Sequence, residues 1–241
     1  KTIKTTLNSV LSQNFKNIEH IIIDGKSTDN TIPVIREYSH IKKIVSEPDN
    51  GIYDAMNKGI DRANSKWITF LNAGDSYTTK TSLSQIFTKK NDQALFIYTD
   101  MFLLNKDGNK VRSLKAEKLT KTSITKGMIA CHQAMFVRLK LCPKYDNNLK
   151  YQGDLNWVMD ILHSIDTHKI HYENIDSVYF KSGGFSDLTI SKQLNEHLYL
   201  IIKRYGILML IIRIPRLIRR YLGKYVRRIL GIETFRFWIK N

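Results

Sequence analysis

The chain has 241 residues, enough for one sizeable core and an appendage. Its formal net charge is +16, and its two cysteines, Cys131 and Cys142, stand in no metal-type spacing. Ordinary apolar content with so few cysteines excludes a disulfide-stapled module and a low-complexity chain, and fits a reducing, cytoplasmic setting.

Ile3, Leu7, Val10 and Leu11 share one helical face, and Asn14 to Asn17 break that helix. His20 to Asp24 is a short apolar run ending in an acid, the mark of a buried parallel strand. Asp29, Asn30 and Thr31 offer N-caps, and Pro33 suits the first turn of a helix through Tyr38. A strand over 42–47, an amphipathic helix carrying Ile52, Met56, Ile60 and Ala63, a strand over 66–72, a helix over 82–90 and a strand over 94–100 follow. Repeated strand–helix units predict an α/β fold with a mostly parallel central sheet. The pattern then changes. Segments 101–104 and 111–114 flank an Asp107-Gly108 hairpin turn, 130–137 and 175–181 read as strands, and 153–163 reads as a helix.

From Ser191 the chain is helical, basic and amphipathic. The uncharged run Tyr205–Ile212 is far shorter than the roughly 20 residues that cross a bilayer. Cations interleaved with apolar residues at helical spacing over 198–240 predict docking on an anionic membrane surface, ahead of a helical cap or a nucleic-acid contact. No nucleic-acid motif is present, and nucleic acid is not an expected partner. The reading is thus two regions, 1–190 and 191–241, peripheral on the inner face of the cell membrane.

Residues 46–75 are the most informative. A polar turn, Ser46 to Gly51, enters a short helix; an apolar strand follows and ends in Asn72-Ala73-Gly74-Asp75. An open α/β sheet uses that layout to hold a nucleotide at the carboxyl ends of its strands. A carboxylate placed like that of Asp75 can bind a divalent ion that grips a diphosphate.

Ile21 to Thr31, Ser46 to Ile60, Phe70 to Asp75, Cys131-His132-Gln133 and Gly153-Asp154 together resemble family 2 glycosyltransferases of the GT-A fold, Rossmann-like and of the kind that builds bacterial capsule, O-antigen or exopolysaccharide. The resemblance spans about residues 1–187. It implies an inverting transfer from a nucleotide-diphosphate sugar to a lipid-linked saccharide acceptor, with Mg²⁺ or Mn²⁺ as cofactor. It implies Asp154 as the catalytic base and Asp75 as the metal ligand. Asp24, Gly25, Asp54, Asn57, Asn72, Ala73 and Gly74 then fall to the nucleotide sugar. His132, Gln133, Gly183 and Gly184 fall to the acceptor side. The chain departs from the family where acids are frequent at the positions of Asn72 and Gly74, and Met56 replaces a frequent arginine. The family's first strand, inside the sheet, is missing, and the chain opens at Lys1 directly in a helical segment, so an upstream piece is expected.

Inverting transfer needs a carboxylate to take the acceptor's proton and a second charge to settle the leaving diphosphate. Asp24 also reads as a strand-end turn former and Asp154 as an acid favoured at a helix start. A non-catalytic nucleotide-sugar-binding module, or a membrane-surface assembly protein with a degenerate GT-A domain, stands as the alternative.

Overall fold

The computed structural model describes residues 2–181 and 190–230. Among the described residues the helices are α1 (Thr2–Leu11), α2 (Thr31–Arg36), α3 (Ile52–Arg62), α4 (Ser82–Ile86), α5 (Gly153–Ser164) and α6 (Ile190–Leu230). The strands are β1 (His20–Asp24), β2 (Ile41–Ser46), β3 (Trp67–Ile68), β4 (Ser76–Tyr77), β5 (Phe96–Leu104), β6 (Lys110–Leu114), β7 (Met135–Arg138) and β8 (Ile170–Lys181).

The α/β expectation holds, but the mostly parallel sheet does not. β1 and β2 form a parallel pair of their own, while the remaining strands run in the order β3-β7-β5-β8-β4, with β6 beside β5. Within that larger sheet only β5 and β8 are parallel; the other pairs are antiparallel. The reason is connectivity. The early strands are joined by helical crossovers, whereas β6 arrives through the tight turn at Gly108 (φ 88°) and β7 through a long loop. β5 is the spine of the sheet, buried from Phe96 to Asp100. The fully buried Asp100 staples it to its neighbours by accepting hydrogen bonds from Tyr172 Oη (2.8 Å), Lys115 Nζ (2.8 Å) and the Ala116 amide (2.8 Å).

Apolar side chains pack on both faces of the sheet. One core gathers Trp157, Val158 and Ile161 of α5 with Tyr53 and Met56 of α3 and Phe96 of β5. The other gathers Val10 of α1 and Leu83 and Ile86 of α4 with Ile97 and Phe136. Leu11, read as part of the apolar face of α1, is 54 % exposed instead. β3 is two residues long rather than seven, and among the described residues only β7 pairs with it. The edges of β1 and β3 that no other described strand pairs border a cleft of about 810 Å³, lined by Ile21, Ile23, Ile68, Phe70, Asn72 and Ala73 among others.

α6 is two helical segments joined at Gly206 (φ 79°, ψ 172°), a conformation open to glycine and costly for other residues. Its first segment is part of the body, with Leu200 and Ile201 buried. The second carries exposed Ile207, Leu208, Ile211, Ile214, Ile218 and Leu222 on one side and buried Leu217 and Tyr221 on the other. No described helix is long and apolar enough to cross a membrane.

Candidate active site

Asp24 ends β1 and is 7 % exposed. Its carboxylate accepts hydrogen bonds from the Ser27 amide (3.0 Å), the Ser27 hydroxyl and the Ser46 hydroxyl (2.7 Å). Burial raises its pKa, but these donors outweigh burial and the net shift is downward. A Cβ at Gly25 would lie 2.5 Å from Asp49 Oδ2, so a larger residue there would make the Asp49 side chain swing aside. That close approach brings the turn after β1 against the polar turn before α3. Asp54, in the first turn of α3, accepts the Asn50 amide (3.0 Å) and pairs with Lys58 (3.5 Å). Asn57 is committed elsewhere: its amide bonds the Tyr145 carbonyl (3.0 Å), the Tyr145 amide (2.7 Å) and Asn147 (3.1 Å). It clamps α3 to the 145–147 loop and has little left for a nucleotide.

The loop Asn72-Ala73-Gly74 leads into Asp75, with Gly74 at φ 105°. Thr6 of α1 holds this loop, accepting the Gly74 amide (2.9 Å) and donating to the Asp75 carbonyl (2.7 Å). The Asp75 carboxylate is 5 % exposed, and Oδ1 accepts the Lys181 amide (3.1 Å). Among the described residues Oδ2 has no partner. Burial raises the Asp75 pKa to about 6, against the lowering effect of that amide. No group of three or more His, Cys, Asp or Glu gathers around it among the described residues. The described residues thus supply Asp75 as a single acidic ligand there. A magnesium-type ion taking one or two carboxylates plus substrate phosphates does fit a lone acid with one open oxygen.

Asp154 is the second residue of α5 and half-buried. Its Oδ1 accepts the Leu155 amide (2.8 Å), and Tyr53 of α3 brings its hydroxyl to 3.5 Å. Gly153 permits this, since a Cβ there would lie 2.6 Å from the Tyr53 ring. Around it stands an aromatic wall. Tyr145 stacks on Trp157 (5.3 Å between centroids) and on Tyr53 (5.5 Å), and His132 stacks on Phe70 (5.6 Å). His132 bonds Tyr145 Oη (2.7 Å), and burial holds its pKa at about 4, so the ring is neutral at physiological pH. Gln133 accepts a hydrogen bond from the Cys131 thiol (3.1 Å). Burial first, then the charges of both Asp75 and Asp154, push that thiol up to about 12.

Of the expected site residues, Asn72 and Ala73 line the cleft; Asp24 follows the cleft-lining Ile23 in β1, and Gly25 approaches Asp49. His132, Gln133 and Asp154 gather with Cys131 on the aromatic side. Gly183 and Gly184 lie outside the described residues. Three contributors went unread in the sequence. Tyr53 stands inside the Gly51–Asp54 motif, and its neighbour Asp54 drew the role instead. Cys131 precedes the His-Gln pair. Glu196 is the lone acid between residues 190 and 230, a signal that was present but not used.

A model of glycosyl transferase family 2 matches residues 1–140. The chain belongs to that family. It is a glycosyltransferase with the GT-A fold of its structural neighbours. It is 27 % identical over 244 aligned residues to a PGL/p-HBAD biosynthesis glycosyltransferase of Mycobacterium bovis, covering 96 % of this chain and 90 % of that protein. Over 104 residues it is 34 % identical to the Escherichia coli UDP-Glc:alpha-D-GlcNAc-diphosphoundecaprenol beta-1,3-glucosyltransferase WfaP, 42 % of this chain and 41 % of the relative. Among solved structures, Staphylococcus aureus TarS 1–349 superposes with a TM-score of 0.61 at 16 % identity, covering 97 % of this chain and 69 % of that one. The Pyrobaculum calidifontis mannosyltransferase PcManGT, bound to GDP-Man and Mn²⁺, superposes with a TM-score of 0.63 at 11 % identity, covering 95 % and 66 %.

Proposed function

We propose that this glycosyltransferase moves a sugar from a nucleoside-diphosphate sugar to a saccharide hydroxyl on a lipid-linked acceptor, with inversion, in the assembly of a bacterial surface polysaccharide. The observation that carries the reading is the contrast between two acids, Asp75 buried with one carboxylate oxygen open and Asp154 half-buried at the start of α5. Asp154, half-buried at a helix start and approached by Tyr53, takes the proton of the attacking hydroxyl. Asp75, with Oδ2 open, would hold a divalent ion, Mg²⁺ or Mn²⁺, together with the donor's diphosphate, and when bound the ion would supply Lewis-acid stabilisation of the charge on the leaving group. Asp24, Gly25 and the 49–51 turn border the nucleoside, and the backbone of Asn72–Gly74 borders the sugar phosphate. His132, buried and bonded to Tyr145, serves the acceptor side from behind the aromatic wall. The relatives' names support the substrate class, WfaP by a diphosphoundecaprenol acceptor and PcManGT by GDP-Man and Mn²⁺.

The exposed Ile207, Leu208, Ile211, Ile214, Ile218 and Leu222 support a membrane-facing side on α6. Its arginines are less available than the sequence implied. Arg204 bonds Asn156 and Asp160, Arg213 bonds Thr125, Arg216 pairs with Glu117, and Arg220 bonds the Met128 carbonyl. Apolar insertion then outweighs charge in holding the helix to lipid.

The test is nucleotide release by the full chain from UDP- and GDP-sugars, with Mn²⁺ and lipid extract as acceptor. Release that requires both cation and acceptor is expected, and Asp154→Asn lowers it by roughly 10²-fold or more. Equal turnover in Asp75→Asn and Asp154→Asn contradicts the assignment.

A further inference from the structure

The segment that leads into the proposed base is held from the far end of the chain. Lys150, Tyr151 and Gln152 immediately precede α5, and all three direct their backbone N–H groups at one carboxylate. Lys150 donates to Glu196 Oε1 (2.8 Å), and Tyr151 and Gln152 donate to Oε2 (2.9 and 2.8 Å). Three charge-assisted bonds on one side chain fix the path of a backbone far more firmly than neutral contacts do. Gln152, the N-cap of α5, makes no capping bond of its own. Its side chain turns instead to α6, donating to the Gln193 carbonyl (3.3 Å) and to Tyr221 Oη (3.2 Å). Tyr221 belongs to the second segment of α6, beyond the Gly206 break, and its hydroxyl also meets His197 Nδ1 (3.1 Å). His197 Nε2 bonds the Thr125 carbonyl (3.1 Å), which anchors the assembly to the body. Arg204 completes the grip farther along α5, on Asn156 (2.7 Å) and Asp160 (2.6 Å).

Asp154 therefore sits between a clasp before it and a clasp after it, both from α6, while Tyr53 packs against Gly153 from the other side. We propose that Glu196 is a positioning residue for Asp154, which makes α6 part of the transfer machinery as well as a surface helix. Glu196 touches neither donor nor acceptor; it sets the direction from which α5 starts. The inference rests on the reading of Asp154 as base, but the clasp itself is measurable without turnover. A displacement of about 1 Å in a reacting group costs about 10²-fold in rate, so loss of the clasp should appear in kcat rather than in donor binding.

Transfer is measured for the full chain and for Glu196→Ala, Glu196→Gln and Asn195→Ala, the last an exposed neighbour on the same helix. Amide hydrogen exchange at residues 150–155 and UDP affinity are read in parallel. Expected for Glu196→Ala is a kcat lower by about 10²-fold, a donor KM and UDP affinity within about twofold of wild type, and faster exchange confined to 150–155. Glu196→Gln keeps one acceptor oxygen and recovers part of the kcat, and Asn195→Ala matches wild type. A Glu196→Ala protein with wild-type kcat overturns the proposal. So does a kcat loss accompanied by lost UDP affinity and faster exchange throughout β5, which marks general destabilisation. A wild-type chain that transfers no sugar at all refutes the functional reading instead, and unchanged exchange at 150–155 in Glu196→Ala then also overturns the clasp.

Discussion

Asp75 carries a cost that its proposed role explains, and Asp75→Asn exposes it. The carboxyl pKa rises from 3.8 to about 6 through burial. A raised pKa means that the folded state holds the proton more tightly than the unfolded chain. The associated stability is fully present below about 3.8 and is lost as pH rises through about 6. The shift of roughly 2 units corresponds to about 3 kcal/mol of destabilisation at pH 7.5, and to about half that at pH 5. Asparagine is nearly isosteric, and its carbonyl still accepts the Lys181 amide. Metal-free Asp75→Asn is therefore expected to be more stable than wild type by up to about 3 kcal/mol at pH 7.5, with the gap narrowing by about 1.4 kcal/mol at pH 5. Urea unfolding at the two pH values, read as midpoint and slope, measures this directly. Added Mn²⁺ and UDP should reverse the order, because only the wild type has a carboxylate for the cation. A variant less stable than wild type at pH 7.5 without metal, or a gap independent of pH, would refute the reasoning.

Three further outcomes follow from named contacts. Gly153→Ala drives a methyl into the Tyr53 ring 2.6 Å away and is expected to cost about 1–3 kcal/mol, together with a kcat loss exceeding any change in donor KM; thermal melts and initial rates decide this. His20 and His132 are both held at about 4, His20 by burial and then by the charge of His40, His132 by burial alone. Depressed pKa values give stability that is present above about 6.5 and lost as pH falls through about 4, up to about 3 kcal/mol apiece; His132→Phe should flatten the acid limb of a urea-midpoint profile, and an unchanged limb contradicts the assignment. Ile211→Asp with Ile218→Asp should abolish flotation with anionic vesicles while sparing UDP affinity; flotation as strong as wild type removes α6 from the membrane contact.

The first sixty or so residues were legible because their information is local. β1, α2, β2 and α3 each announce themselves by apolar period and capping residues, and each is present within a residue or two of its expected bounds. Strand direction was not legible. An apolar run such as 94–100 states that it is buried and says nothing about which neighbour will pair with it or in which sense, so the antiparallel β7 and the extension of β5 to Leu104 emerge only in three dimensions. Trp67 to Asn72 has the composition of a strand, but a ladder needs partners; one short partner, β7, supports two residues of it. The arginines of α6 misled for a related reason. Spacing shows that a cation lies on a helix face, and only packing shows whether that face looks toward solvent or toward Glu117 and Asp160.

The same distinction separates the candidate acids. In the sequence Asp75 reads as the metal ligand, and Asp24 and Asp54 as contacts of the nucleotide sugar. In the folded chain Asp24 is occupied by Ser27 and Ser46, and Asp54 by Asn50 and Lys58, so each holds its own turn in shape. Asp75 is the one whose pKa is driven up rather than down, because a single amide does not offset its burial. A buried carboxylate left short of donors is expensive in a resting protein. It is retained at low cost only if a cation arrives during the working cycle, which is why the pH-dependent stability of Asp75→Asn and its reversal by Mn²⁺ with UDP bear directly on the chemistry of the site.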